Sequence, residues 1–148
     1  ITWSTAYGLA KKIITNSEVN SYLCSSYAWD TAVNFIQNNS TAKNYSTSIE
    51  GFNGNWNPQE VKDPSGNVIK PAGTSQQLNT GLTTQFCNIF DIGGNEAEFT
   101  TELNPGTSET AVLRGGYDGD CGPAGLRWDI GSGHAGIGCG FRATLFLK

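Results

Sequence analysis

Ile89-Phe90-Asp91-Ile92-Gly93-Gly94-Asn95-Glu96-Ala97-Glu98-Phe99-Thr100 is the stretch on which the reading of this chain turns. It runs from an extended segment expected over Phe86 to Ile92, through a tight glycine turn, into a strand expected over Glu98 to Glu102. Two more short strands are expected downstream, over Ala111 to Gly115 and Phe141 to Leu147. The last alternates, with Phe141, Ala143, Leu145 and Leu147 on one face and Arg142, Thr144 and Phe146 on the other. Upstream the period changes. Trp3, Ala6, Tyr7, Ala10, Ile13 and Ile14 recur at helical spacing behind Thr2 as N-cap, with Lys11-Lys12 facing outward. A second helix is expected from about Ala28 to Gln37, striped by Trp29, Ala32, Val33 and Ile36 and capped by Ser25 or Ser26. Between helices and strands lie turn-forming runs, Asn38 to Thr41 and Gly51 to Pro58. A small hairpin follows, in which Glu60-Val61-Lys62 and Val68-Ile69-Lys70 flank Asp63-Pro64-Ser65-Gly66-Asn67. Two helices followed by short strands and long structured loops define an α+β fold with an antiparallel sheet.

The chain has 148 residues, the size of a single domain over residues 1–148, and its 37% hydrophobic content suffices for a core. Nine basic residues against 13 acidic ones leave a net charge of −4. So few scattered cations argue against a nucleic-acid partner, which calls for a concentrated basic face. No apolar run approaches the roughly 18 residues of a membrane span, so no membrane insertion is expected. There is no Met and the chain opens on Ile1, which reads as the C-terminal part of a longer protein. Cys24, Cys87, Cys121 and Cys139 contain no C-x-x-C pair, and one histidine, His134, completes no zinc pattern. Two disulfides and free buried thiols both stand as readings. Glycine is in surplus, and ten of the 19 lie from Gly115 to Gly140.

Several stretches in order carry a resemblance. Thr2-Trp3-Ser4-Thr5-Ala6-Tyr7 is similar to V-x-W-x-x-A, and Tyr27-Ala28-Trp29-Asp30-Thr31-Ala32-Val33 stands where E-A-E-W-E-Y-A-A is expected. Ile89 to Thr100 is similar to L-Y-D-M-x-G-N-V-W-E-W-T, Val112 to Gly116 to V-x-R-G-G, and Gly140-Phe141-Arg142 to G-F-R. Together they resemble the formylglycine-generating enzyme (sulfatase-modifying factor) superfamily, which implies a C-type-lectin-like fold. Oxidising members carry a second Cys five residues beyond the first after R-G-G. Here the residue five beyond Cys121 is Leu126, and the only later cysteine is Cys139. The related iron-dependent sulfoxide synthases need several histidines. The reading is therefore a non-enzyme, against an oxidase that uses Cys121 or Cys139 in another geometry.

The branch most similar to this chain is the variable proteins of diversity-generating retroelements, which display diversified residues between R-G-G and G-F-R. Adenine replacement in AAC-type codons yields codons that cannot encode Lys, Glu, Gln, Met or Trp. The 23 residues from Tyr117 to Cys139 hold one Trp and none of the other four. The resemblance thus implies a ligand-binding set of Tyr117, Asp118, Gly119, Asp120, Cys121, Leu126, Trp128, Asp129, Ile130, Ser132, His134 and Cys139. Rigid aromatics among Gly and Ser are paratope-like. The bland alternative is a glycine-rich loop needed only for tight turns. The implied partner is a cell-surface protein or glycan, the implied location extracellular on a virion or cell surface. A homo-oligomer would add multivalency. An adhesin or tail module without diversification is the remaining alternative.

The same resemblance implies a hard-cation site at Asp91, Gly94, Glu96 and Glu98, where carboxylates interleaved with carbonyls in a tight turn suit structural Ca²⁺. The alternative is a metal-free turn held by Asn95 and Glu98. Arg114 and Arg142 are expected to bond loop carbonyls or a buried carboxylate.

Overall fold

The computed structural model describes residues 1–14, 16–48, 54–63, 65–82, 85–104, 106, 110–119 and 122–148. Of the turn-formers named above, Gly51, Phe52, Asn53 and Pro64 lie outside them, as do Asp120 and Cys121 of the ligand-binding set.

Helix α1 (Trp3–Ala10) starts where expected, the Thr2 hydroxyl accepting the Thr5 amide, and it buries Ala6 and Ala10. It is shorter than its apolar stripe. After Ala10 the chain is captured sideways, because Ser21 Oγ accepts the Ile14 amide and donates to the Ile14 carbonyl. Ile13 is consequently half-exposed and outside the helix. Helix α2 (Ser26–Asn39) is capped by Ser25, whose side chain accepts the Ala28 amide, and its buried stripe is Trp29, Val33 and Ile36.

Among the described residues ten short strands fit the α+β plan. β1 (Val19–Leu23) pairs with β10 (Ala143–Leu147), β2 (Val61–Lys62) with β3 (Val68–Lys70), and β4 (Gln85–Phe86) with β5 (Ile89–Phe90), each pair antiparallel. The four-stranded sheet has the order β8 (Arg127–Gly131), β7 (Thr110–Arg114), β6 (Ala97–Leu103), β9 (Cys139–Phe141). It is mixed, not purely antiparallel as expected. β6 runs parallel to β9, since the chain crosses from edge strand β8 to the opposite edge before entering β9.

Two of the expected strands are each broken in two. Between Phe86 and Ile89, Cys87 and Asn88 both have positive φ (53° and 61°), the requirement of a two-residue hairpin turn. At the C-terminus the break is Arg142. Its carbonyl accepts the Cys24 amide, and its side chain turns inward, so β9 joins the large sheet while β10 joins β1. The alternation of the last strand does not mark a buried face, because Leu145, Phe146 and Leu147 are all exposed. Strands β1 and β8 are not among the expected ones.

The core has two parts. Trp29, Val33, Ile36, Tyr45, Trp56 and Ile92 pack between α2 and the loops, and Ala6, Ala10, Leu23, Phe99, Ala111 and Leu113 between α1 and the sheet. Tyr45 is 2% exposed, and its hydroxyl accepts the Gly93 amide at 3.1 Å. Burial pushes its phenol up to about 12 from 10.0. A folded-state value raised above the unfolded one stabilises fully below pH 10 and is lost as pH rises towards 12. Across that window the wild type is expected to lose about 2–3 kcal/mol relative to Tyr45→Phe, at 1.36 kcal/mol per unit. Urea melts of both proteins from pH 9 to 12 check this; parallel pH profiles would refute it.

Candidate binding surface

The two glycines after Arg114 set where the candidate segment leaves the sheet. Gly115 (φ 86°) lies so close to the turn at 91–95 that a Cβ there would sit 2.4 Å from the Ile92 carbonyl oxygen. Gly116 (φ 70°) abuts Gly122, 2.6 Å from the same construction to its nitrogen. No other residue type fits either position, which gives the Arg114-Gly115-Gly116 motif a purely steric reason.

Asp118 is the first expected ligand-binding residue to be reassigned. It is 3% exposed. Its amide donates to Asn95 O, its carbonyl accepts the Asn57 amide at 2.6 Å, and Oδ2 accepts from Ser75 Oγ at 2.7 Å. It ties the candidate segment to the 55–57, 75 and 95 loops and presents nothing outward. Asp118→Ala is expected to cost about 1–3 kcal/mol, the loss of the hydrogen bond that its buried carboxylate accepts from Ser75. A chemical melt checks this; an unchanged midpoint would refute it.

Strand β8 divides the rest. In the β7–β8 ladder Leu113 faces Trp128 and Ala111 faces Ile130, while Arg114 faces Arg127 and Val112 faces Asp129. Trp128 and Ile130 therefore share the face that packs towards α1, and Asp129 lies on the opposite face, where its Oδ2 accepts from Asn104 Nδ2. On the α1 side Tyr117 stacks on Trp128, ring centroids 6.2 Å apart. These two, with Ile130, His134, Ile137 and Cys139, line a hollow of about 190 Å³ floored by Ala97 and Leu113. Five members of the expected set thus come together: Tyr117, Trp128, Ile130, His134 and Cys139. Ile137, 94% exposed on the rim, belongs with them and was not expected. Its apolar character between two glycines at an exposed position was the available signal. Leu126 folds back over Gly122, Ser132 gives its carbonyl to the Trp3 amide, and Gly119 is exposed beside the Tyr117 ring.

Among the described residues no Asp, Glu, Lys or Arg side chain lines the hollow. Cys139 is a free thiol there, and burial raises its pKa, so the un-ionised form is favoured. Cys24 and Cys87 are also free.

Arg142 reaches into the expected cation site at Glu98. Arg142 donates from Nε and Nη2 to both Glu98 oxygens, each at 2.8 Å, and from Nη2 to the Phe90 and Asp91 carbonyls at 3.1 and 3.2 Å. The guanidinium thus engages one of the expected cation donors, the Glu98 carboxylate. Gly94 O accepts the Glu96 amide, and the Glu96 carboxylate lies against Gly140. Asp91 Oδ2 accepts the Gly81 amide. A hard cation takes six to eight oxygens, and a Ca²⁺ at Asp91, Gly94, Glu96 and Glu98 would have to share Glu98 with Arg142. Among the described residues no group of three His, Cys, Asp or Glu side chains could hold a metal ion. Calorimetric titration with Ca²⁺ is expected to give no saturable heat; a saturable isotherm abolished by Glu98→Ala would overturn this assignment.

No helix of the described residues is long and apolar enough to cross a membrane. No family model, curated protein or solved structure matches the chain.

Proposed function

We propose that this chain is a binding protein with a C-type-lectin-like fold, a variable protein of a diversity-generating retroelement. Its contact surface is the hollow between β8 and the 132–138 loop. The observation that carries the reading is the division of the Gly115–Gly140 segment. Its ends are held by steric glycines and the buried Asp118, while Trp128, His134 and Ile137 are displayed around one apolar depression. A rigid frame that presents adaptable residues is what a diversified binding site requires. No catalytic role is assigned. The partner is a protein or glycan on another surface, met outside the cell, with oligomeric display raising the avidity of a small contact.

The test is to sequence the DNA flanking the gene. A near-copy of the segment encoding Leu113 to Phe141, differing only at adenines and adjoined by a reverse transcriptase, is expected; a flank without them removes the diversification. A second check is mutational tolerance. Substitutions at His134 and Ile137 are expected to shift stability by no more than about 0.5 kcal/mol, as for surface positions generally. Losses at both sites comparable with Asp118→Ala would mean that the rim is scaffold.

A further inference from the structure

We infer that the opposite face of the sheet carries an oxyanion-binding site built on Arg114 and Arg127, separate from the hollow. The ladder sets these two arginines directly opposite each other on adjacent strands, so both project from the same face. Each has one carboxylate partner, Asp30 on Arg114 and Glu102 on Arg127, and an anion between them would be shared by both. Arg114 is 1% exposed. Among the described residues its Nη2 is engaged by Asp30 Oδ1, while Nε and Nη1 are buried and find no hydrogen-bond partner.

The other buried cations show how unusual this is. Arg142 has two carboxylate oxygens and two carbonyls, and Lys70 has three carbonyls. A buried guanidinium has five N–H donors to satisfy, and the described residues supply Arg114 with one acceptor.

Beside Arg114 lies a cavity of about 400 Å³ lined by Asp30, Asn34, Ser46, Thr47 and Arg127, a set rich in donors. Its one carboxylate, Asp30, is 49% exposed in its side chain and free to swing outward. Asp30 stands in for the ligand, and an incoming oxyanion takes its place on Arg114. A second cavity of about 390 Å³ continues past Asp30 and Arg127 to Tyr27, giving room for a larger molecule that carries the anionic group. The ligand class is therefore phosphate, sulfate or carboxylate, free or attached to such a molecule.

The intact chain is titrated with inorganic phosphate and with glucose 6-phosphate, each against sodium chloride of matched ionic strength. The readouts are melting temperature and the ¹⁵N–¹H resonance of Arg114 Nε. A saturable rise in melting temperature and a shift of that resonance are expected. Arg127→Gln, at a half-exposed residue that pairs with Glu102, is expected to weaken binding at least tenfold. Asp30→Asn is expected to tighten it severalfold, which general screening would not do. Trp128→Ala is expected to leave it unchanged, so the result is independent of the proposed hollow. Tighter binding of the sugar phosphate would identify an attached group, and equal or weaker binding a free ion. No saturable response in either the wild type or Asp30→Asn would overturn the site, as would a response indifferent to Arg127→Gln.

Discussion

Replacing Arg142 with methionine is expected to lower folding stability by about 3–5 kcal/mol, the usual result of removing one partner from a buried ion pair. Arg142 is the single point where three elements meet. Its guanidinium holds Glu98 of β6 in a two-point grip, closes on the Phe90 and Asp91 carbonyls at the end of β5, and lies 5.6 Å from the centre of the Trp29 ring of α2. Only 12% of the Glu98 side chain is exposed, so without its partner the carboxylate is stranded. Burial pushes the Glu98 carboxyl up even with Arg142 present, the guanidinium pulling it back only in part. In Arg142→Met that restraint is gone and the folded-state value rises further. A raised value stabilises below the unfolded pKa and is lost as pH rises through the folded one. The deficit is therefore expected to narrow below the ordinary glutamate range and to reach its full size at neutral pH. Denaturant melts at acid and neutral pH measure both quantities. A deficit below 1 kcal/mol, or one that does not depend on pH, would refute the account.

Lys70→Met is expected to cost about 3 kcal/mol, each charge-assisted bond being worth roughly 1.5–3 kcal/mol, less what the freed carbonyls recover from water. Lys70 is 0% exposed, and its ammonium donates to the carbonyls of Trp56, Gln59 and Thr74 at 2.9, 2.7 and 3.1 Å. It closes the β2–β3 ribbon and the loops on either side of it around one charge, where loops of this length have little secondary structure to hold them. Methionine keeps the apolar stem but offers no donor, so the loss isolates the ammonium. Arginine is expected to fare no better, since a planar fork cannot point at three carbonyls gathered round one atom. Equilibrium unfolding in urea checks the size. Faster amide exchange confined to 56–74 would locate the effect, and wild-type stability in Lys70→Met would refute it.

Much of the plan was legible in the sequence because local rules govern it. Thr2 and Ser25 cap the helices by bonding their own neighbours three residues on, and Trp29, Val33 and Ile36 mark a buried face by spacing alone. The turn residues round Gly66 specify the β2–β3 hairpin for the same reason. The site was half legible. The glycine concentration after Arg114 located the segment, and Tyr117 and Trp128 were recognisable as its aromatic pair. What local rules could not reveal was which of its residues turn inward. Asp118 reads as a displayed acid, and only the Asn57, Ser75 and Asn95 contacts, all distant along the chain, make it a buried tie.

The sequence by itself determined two capped helices, a set of short strands, the position of the glycine-rich segment and a net charge of −4. Each follows from a residue's own conformational preference or from a count. The tertiary structure alone decided the parallel β6–β9 pairing, the break of the last strand at Arg142, and the division of β8 into a hollow-facing row and an arginine-facing row. The physical reason is common to all three. A strand of two to five residues carries too little periodicity to declare its faces, so register and partner are settled by what it meets across the sheet. Here that was a guanidinium drawn to Glu98 and a Trp128 ring stacked on Tyr117.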